Sequence, residues 1–359
     1  MIDLSRRDLL GRLGFGAGLY AAIARTPRSL LGTLLFEPTA PLVEPKPIPQ
    51  NPFVSGSRSL VAIVHGRDPL TMLTTGMEQL GGWGRLPVQG KRVLIKPNVV
   101  NDRPPPSTTN PLVVEAVIQS VRSAGAAEVI VADSSGLIRF PTKTNLEATG
   151  MRAAAARQGA TVLALEDLDW VGVEPPAATV LRRYFVSKPL YEADLVINVP
   201  VIKTHRFAHY SCSLKNWVGI VHPRNRPSVT FLSGHWHERI AELNLAVHPH
   251  LTVADGTKVM IEGGPTSGTS AQADLLLISG DRVALDVVAL ALLRSYGRWP
   301  KIMEGSPWEQ RQIKRAIELG LGAIGPEHLT LSPVSTEGES DAFARLVEGV
   351  RKDIGTGPA

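Results

Sequence analysis

Lys96, Lys203 and Lys215 stand close to asparagines in this chain, in Lys96-Pro97-Asn98, Lys215-Asn216 and the stretch from Asn198 to Lys203. An ammonium brings positive charge and three hydrogen-bond donors, and a carboxamide adds a directional acceptor and two donors. Together they suit a phosphate or a carboxylate. The Gly263-Gly264 backbone, without side chains, is expected to approach the same ligand closely. Asp133, His205 and Asp255 are the residues expected to move a proton beside it. The plainer reading of these residues is solvated lysines and turn asparagines, and only convergence in space separates the two.

Seven of the nine histidines, His205, His209, His222, His235, His237, His248 and His250, fall in one stretch of the chain. With Asp133, Glu238 or Asp255 nearby they raise the option of a divalent metal, although no spacing matches a zinc signature such as H-E-x-x-H. Otherwise the cofactor is left unassigned. Other chemistries lack their motifs. There is no G-x-S-x-G elbow and no Walker sequence, and the one G-x-G-x-x-G string, Gly320 to Gly325, follows a helical pattern and reads as a helix stop. The single cysteine, Cys212, excludes a disulfide framework and is expected to be buried rather than nucleophilic.

These residues need elements to hold them. From Ser59 onward, short apolar runs alternate with amphipathic stretches, which predicts an α/β domain with a mainly parallel sheet flanked by helices, in one large domain or two lobes. Strands are expected over Val93 to Ile95, Val129 to Ala132, Val162 to Leu165, Leu195 to Ile202, Leu251 to Ala254 and Leu275 to Ile278. Helices are expected over Pro111 to Ala124, with Asn110 as cap, over Leu146 to Gln158, and over Val283 to Tyr296 as a buried one. Val171 to Lys188 has no clear pattern. Lys96-Pro97-Asn98, Asp133-Ser134-Ser135-Gly136, Glu166-Asp167, Lys203-Thr204-His205 and Asp255-Gly256 then all stand at strand ends. In an open parallel sheet those ends share one edge, where ligands bind.

The ordered set of motifs resembles a family, the proteins grouped as domain of unknown function 362. It runs through Ile95-Lys96-Pro97-Asn98, Thr108-Thr109-Asn110-Pro111, Val131-Ala132-Asp133-Ser134 and Ala193 to Pro200 with Lys203-Thr204-His205. It continues through Leu214-Lys215-Asn216, Asp255-Gly256, Gly263 to Gly268 and Ala284-Leu285-Asp286, so that it covers roughly residues 60 to 332. Each piece alone is weak, but the order is specific. The resemblance implies a fold more than a reaction, since the family's biochemistry is not established. Some relatives carry cysteine-ligated clusters. With Cys212 alone, no cysteine-ligated iron–sulfur cluster is expected from this chain.

At the N-terminus, Ser5-Arg6-Arg7-Asp8-Leu9-Leu10 precedes an apolar stretch from Leu13 to Ala24, which resembles a twin-arginine export signal. The stretch is too short to span a bilayer, so no stable transmembrane span is expected. The expected organisation is a signal segment over 1–24, a proline-rich linker over 25–58, the α/β domain over 59–335 and a tail over 336–359. The expected location is the periplasm, or outside the cytoplasm generally, with the twin-arginine machinery and a small anion as partners. A formal net charge of +5 favours anionic ligands, but no run of five or more basic residues marks a nucleic-acid arm, and no nucleic acid is expected. Two functions follow: an exported enzyme acting on a small anionic substrate, or a non-catalytic ligand-binding or redox-accessory protein using the same crevice.

Overall fold

The apolar, β-branched runs lie side by side as strands, because each buries both faces under helices and so carries no alternation. The computed structural model describes residues 38–137, 139–226, 234–338 and 340–357; the twin-arginine motif lies outside them. The strands are β1 (Val54–Ser55), β2 (Arg58–His65), β3 (Arg92–Pro97), β4 (Glu128–Asp133), β5 (Thr161–Ala164), β6 (Trp170–Val173) and β7 (Tyr184–Ser187). They continue with β8 (Leu195–Val199), β9 (Val201–His205), β10 (His209–Ser211), β11 (Leu251–Gly263), β12 (Gly268–Ser279) and β13 (Leu329–Ser335). The main sheet runs β1-β2-β12-β11-β8-β3-β4-β5, with β13 beside β2 and β9 joining β11 to β10. Its β11-β8-β3-β4-β5 half is parallel throughout, while β12 is antiparallel to both neighbours. The sheet is therefore mixed and mostly parallel.

Helices cover both faces. On one side Pro69–Gln79 and Pro111–Ser123 pack over Val93, Ile95, Val131 and Ile197. On the other lies Arg282–Arg294, buried almost all round, as its uninterrupted apolar sequence requires. Asn110 caps Pro111–Ser123 through its side-chain oxygen, which accepts the Leu112 N–H at 3.0 Å.

Several boundaries depart from the sequence expectation, each for a local reason. The single strand expected over Leu195 to Ile202 is two, because Pro200 has no N–H to continue the ladder. The helix expected over Leu146 to Gln158 is also two, Thr142–Ala148 and Met151–Arg157, divided at Gly150 with φ of 75°. Val171 to Lys188 supplies β6 and β7, a separate antiparallel pair. The proline-rich segment does not hang free from Pro41 onward. The Val43 N–H donates to Gly172 O, the Gly172 N–H donates to Pro41 O, the Lys46 N–H donates to Ala246 O, and Tyr191 Oη donates to Glu44 O. The region expected as a tail contains the helix Asp341–Ile354, whose Val347, Val350 and Ile354 are buried and whose Asp353 pairs with Arg294 at 2.7 Å.

Candidate functional site

The carboxyl ends of β3, β4 and β9 bring Lys96, Asp133 and Lys203 to one edge of the sheet, and the short helix Ser213–Asn216 adds Lys215 and Asn216. They line one cleft with an enclosed volume of about 70 Å³, together with Asn98, Ser134, His205, Gly219 and Arg226. That size and concavity suit a small ligand.

The four cations do not share one role. Lys96 is fully buried, and its Nζ donates to Asp133 Oδ1 at 2.6 Å, Pro97 O at 2.9 Å and Asn216 Oδ1 at 3.3 Å. Three acceptors match the three N–H groups of an ammonium, so Lys96 is spent inside the protein. Asp133 also accepts the Val99 N–H at 2.6 Å. Gly219 closes over this ion pair: a Cβ there would lie 2.4 Å from Asp133 Oδ1 and 2.7 Å from Lys96 Nζ. Only glycine fits.

Lys203 and Lys215 are different. Lys203 Nζ donates to Asn98 Oδ1 at 2.8 Å and Ser107 O at 2.6 Å, both neutral acceptors. Lys215 is half-buried, with its Nζ 6.0 Å from the Trp236 ring centre. Burial, and then the Lys215 charge, push the Lys203 amine down to about 7; burial, and then Arg226, push Lys215 to about 8. Arg226 is almost completely buried, lowered to about 10 by that burial, and donates to Val221 O, Ser135 O and Ser134 Oγ. Among the described residues none of these three forms a salt bridge, since the carboxylate of Asp133 is held by Lys96. Asp133 and Glu166 favour the charged forms only from a distance, so the cleft gathers three basic side chains without a direct carboxylate partner among the described residues.

The asparagines form a relay rather than a set of ligand hooks. Lys203 Nζ donates to Asn98, which presents Oδ1 to it and turns Nδ2 toward Asn216 Oδ1 at 3.1 Å. Asn216 Nδ2 donates to Asn198 Oδ1 at 2.7 Å, and Asn198 Nδ2 donates to the Ser213 carbonyl at 3.2 Å. Every amide orientation is set by a donating end and an acceptor-only end. Asn98 and Asn216 reach the cleft wall, whereas Asn198 lies behind it.

The expected proton carriers fare unevenly. His205 lines the cleft, but its Nδ1 accepts the N–H groups of Phe207 at 3.1 Å and Ala208 at 3.0 Å. Burial, then the charges of Lys215 and Lys203, hold the ring well below its ordinary range, so it is neutral and keeps its proton on Nε2. Asp255 stands on the same edge without lining the cleft. Its oxygens accept Asn110 N–H at 2.7 Å, Thr257 N–H at 3.0 Å and Thr257 Oγ1 at 2.7 Å, so it fastens the entry of a helix. Gly263 and Gly264 form the β11–β12 hairpin turn and do not line this cleft. A Cβ on Gly264 would fall 2.0 Å from Thr204 O, and only the following Pro265 touches the cleft.

The histidines disperse. His248 accepts from Arg282 and donates to Lys46 O, His250 accepts the Val196 N–H, and His222 accepts the Arg224 N–H. Among the described residues His209 and His237 are the one pair of histidines with rings in contact, 4.6 Å apart. Among the described residues no three His, Cys, Asp or Glu side chains gather as a metal-binding group. Cys212 is buried, as expected.

Two further residues shape the cleft: Arg226, which no sequence motif singled out, and Asp286, which stands in the Ala284-Leu285-Asp286 motif without an assigned role. Asp286 Oδ1 accepts the Ser213 N–H at 2.6 Å, and Oδ2 accepts the Leu214 N–H at 3.1 Å and Tyr210 Oη at 3.0 Å. It therefore positions the turn that carries Lys215 and Asn216. Arg226 meets Ser134 and Ser135 across about ninety residues of chain, so no local pattern signals it.

Three comparisons place the chain among known proteins. The profile of the family described as Domain of unknown function (DUF362) matches residues 93–291, more than half the chain. A thylakoid-associated protein of Synechocystis sp. is 29% identical over 244 residues, which span 63% of this chain and 70% of the relative. The solved lactate racemase apoprotein from Thermoanaerobacterium thermosaccharolyticum has 8% identity and a TM-score of 0.39, over 83% of this chain and 87% of that one. Among the described residues no helix is long and apolar enough to cross a membrane.

Proposed function

The chain belongs to the DUF362 family, and from that premise we propose that its basic cleft is the substrate site of an enzyme acting on a small phosphate or carboxylate. One observation carries this reading. Lys203, Lys215 and Arg226 face one cleft without a salt-bridge partner among the described residues, and the carboxylate beside them is already taken by Lys96. Concentrating buried cations in this way is unfavourable unless an anion joins them, and a desolvated anion would gain charge-assisted hydrogen bonds from all three.

Calorimetric titration of the full chain with inorganic phosphate, acetate and lactate tests it. At least one anion should bind, more weakly at higher ionic strength, and binding should take up protons because the anion favours charged Lys203 and Lys215. Proton uptake shows as a heat that changes with the buffer. No heat from any of the three anions at low salt would remove the reading.

The site is proposed to work outside the cytoplasm, after twin-arginine export directed by Arg6 and Arg7. Replacing both by Lys should hold the protein in the cytoplasm, since the receptor reads the guanidinium pair. An unchanged exported fraction would refute that route.

A further inference from the structure

We propose that Lys203 is a nucleophile, whose amine forms an imine with the carbonyl carbon of a small 2-oxo acid while Lys215 and Arg226 hold the acid's carboxylate. The inference rests on the anion-cleft reading and narrows its substrate class.

Its first support is a count of hydrogen bonds. Lys96 Nζ has three acceptors, one of them a carboxylate, and is saturated as an ammonium. Lys203 Nζ has two, Asn98 Oδ1 and Ser107 O, and neither is charged. Two acceptors use both N–H groups of a neutral amine and leave its lone pair unengaged. Asn98 cannot turn to accommodate anything else, because the relay through Asn216 and Asn198 fixes its orientation. The amine is thus aimed by a built scaffold.

The second support is the surroundings. Lys203 lies on the cleft wall, 1% exposed, beside Lys215 and close enough to Lys96 to feel both charges. A desolvated amine next to other cations is the arrangement that makes a lysine nucleophilic near neutral pH. The expected proton carriers are occupied elsewhere: Asp133 by Lys96, Asp255 by Asn110 and Thr257, and the Nδ1 of His205 by two backbone N–H groups. Among the described cleft residues, Lys203 is the amine that two acceptors hold in place with an electron pair left over.

The step balances without an outside oxidant or reductant. The Nζ lone pair attacks the carbonyl carbon, forming a C–N bond as the oxygen gains a proton. With one amine proton already on that oxygen, the carbinolamine loses the hydroxyl together with the remaining amine proton as water, which leaves the imine. A 2-oxo acid fits because its carbonyl carbon is bonded to its carboxylate, so cations that hold the one place the other.

The test uses the unaltered full chain, with pyruvate and glyoxylate as probes, borohydride to trap the imine and peptide mass mapping to locate it. The adduct should concentrate on Lys203, on the order of tenfold or more above any exposed lysine, because an ordinary lysine is almost wholly protonated near pH 7. Its yield should rise through about pH 7 as Lys203 loses its proton, then fall above about pH 8 as Lys215 loses its charge. Ordinary lysines would instead react more and more up to high pH. Lactate, with a carboxylate but no carbonyl, should compete with pyruvate and form no adduct. Reversible binding of pyruvate and lactate without an adduct on Lys203 would overturn the imine and leave the anion cleft standing. An adduct spread evenly over surface lysines would also overturn it. Absence of both binding and adduct would overturn the two readings together.

Discussion

Replacing Asp133 by Ala is expected to destabilise the fold by about 3 to 5 kcal/mol, the cost of leaving a buried charge unpaired. Lys96 is fully buried, and Asp133 is its one charged partner at 2.6 Å. The same change orphans the Val99 N–H, which Asp133 Oδ2 now accepts at 2.6 Å. Urea denaturation followed by circular dichroism measures it. A drop below about 1 kcal/mol would mean that Lys96 discharges its proton and tolerates the loss. A double variant, Lys96→Met with Asp133→Leu, should recover part of the stability because it removes both charges at once. If the double change were as costly as the sum of the single ones, the pair would not be a coupled unit.

Changing Lys215 to Met should weaken anion binding about tenfold to a hundredfold, the loss of one charge-assisted hydrogen bond of roughly 1.5 to 3 kcal/mol. The fold should survive, because Lys215 is half-buried, the methionine keeps most of its apolar stem, and the lysine Nζ has no hydrogen-bond acceptor to abandon among the described residues. Lys203→Met is expected to behave otherwise. Its amine supplies less charge near neutral pH, so binding should fall less than in the Lys215 variant, while imine trapping at that position is lost. Calorimetric titration with phosphate and lactate, beside thermal melting, reads both variants. Equal affinity in the parent and the Lys215 variant would make this lysine a solvated charge and return the site to the plainer reading of the sequence.

The α/β order, the mainly parallel sheet and the residues at its strand ends were legible in the sequence for a physical reason. Strands buried on both faces must be continuous apolar runs, and the polarity that ends them is local information, as in Val131-Ala132-Asp133 or Ile95-Lys96. The cap at Asn110 was equally local, one side chain bonding its own neighbouring backbone. What each polar residue does was not local. Lys96 and Lys203 have the same side chain and similar positions, yet one is neutralised by a carboxylate 37 residues away and the other meets only neutral oxygens contributed about a hundred residues away. Asp133 ends β4, whereas Asp255, expected at a strand end, lies inside the longer β11, and one closes an ion pair in the cleft while the other fastens a helix. Arg226 enters the site only because the chain folds a distant loop against Ser134 and Ser135. Sequence by itself determined which residues stand at the sheet's edge. The tertiary structure alone decided which of them remain free to bind, because hydrogen bonds and charge pairing are settled by neighbours in space and not by neighbours along the chain.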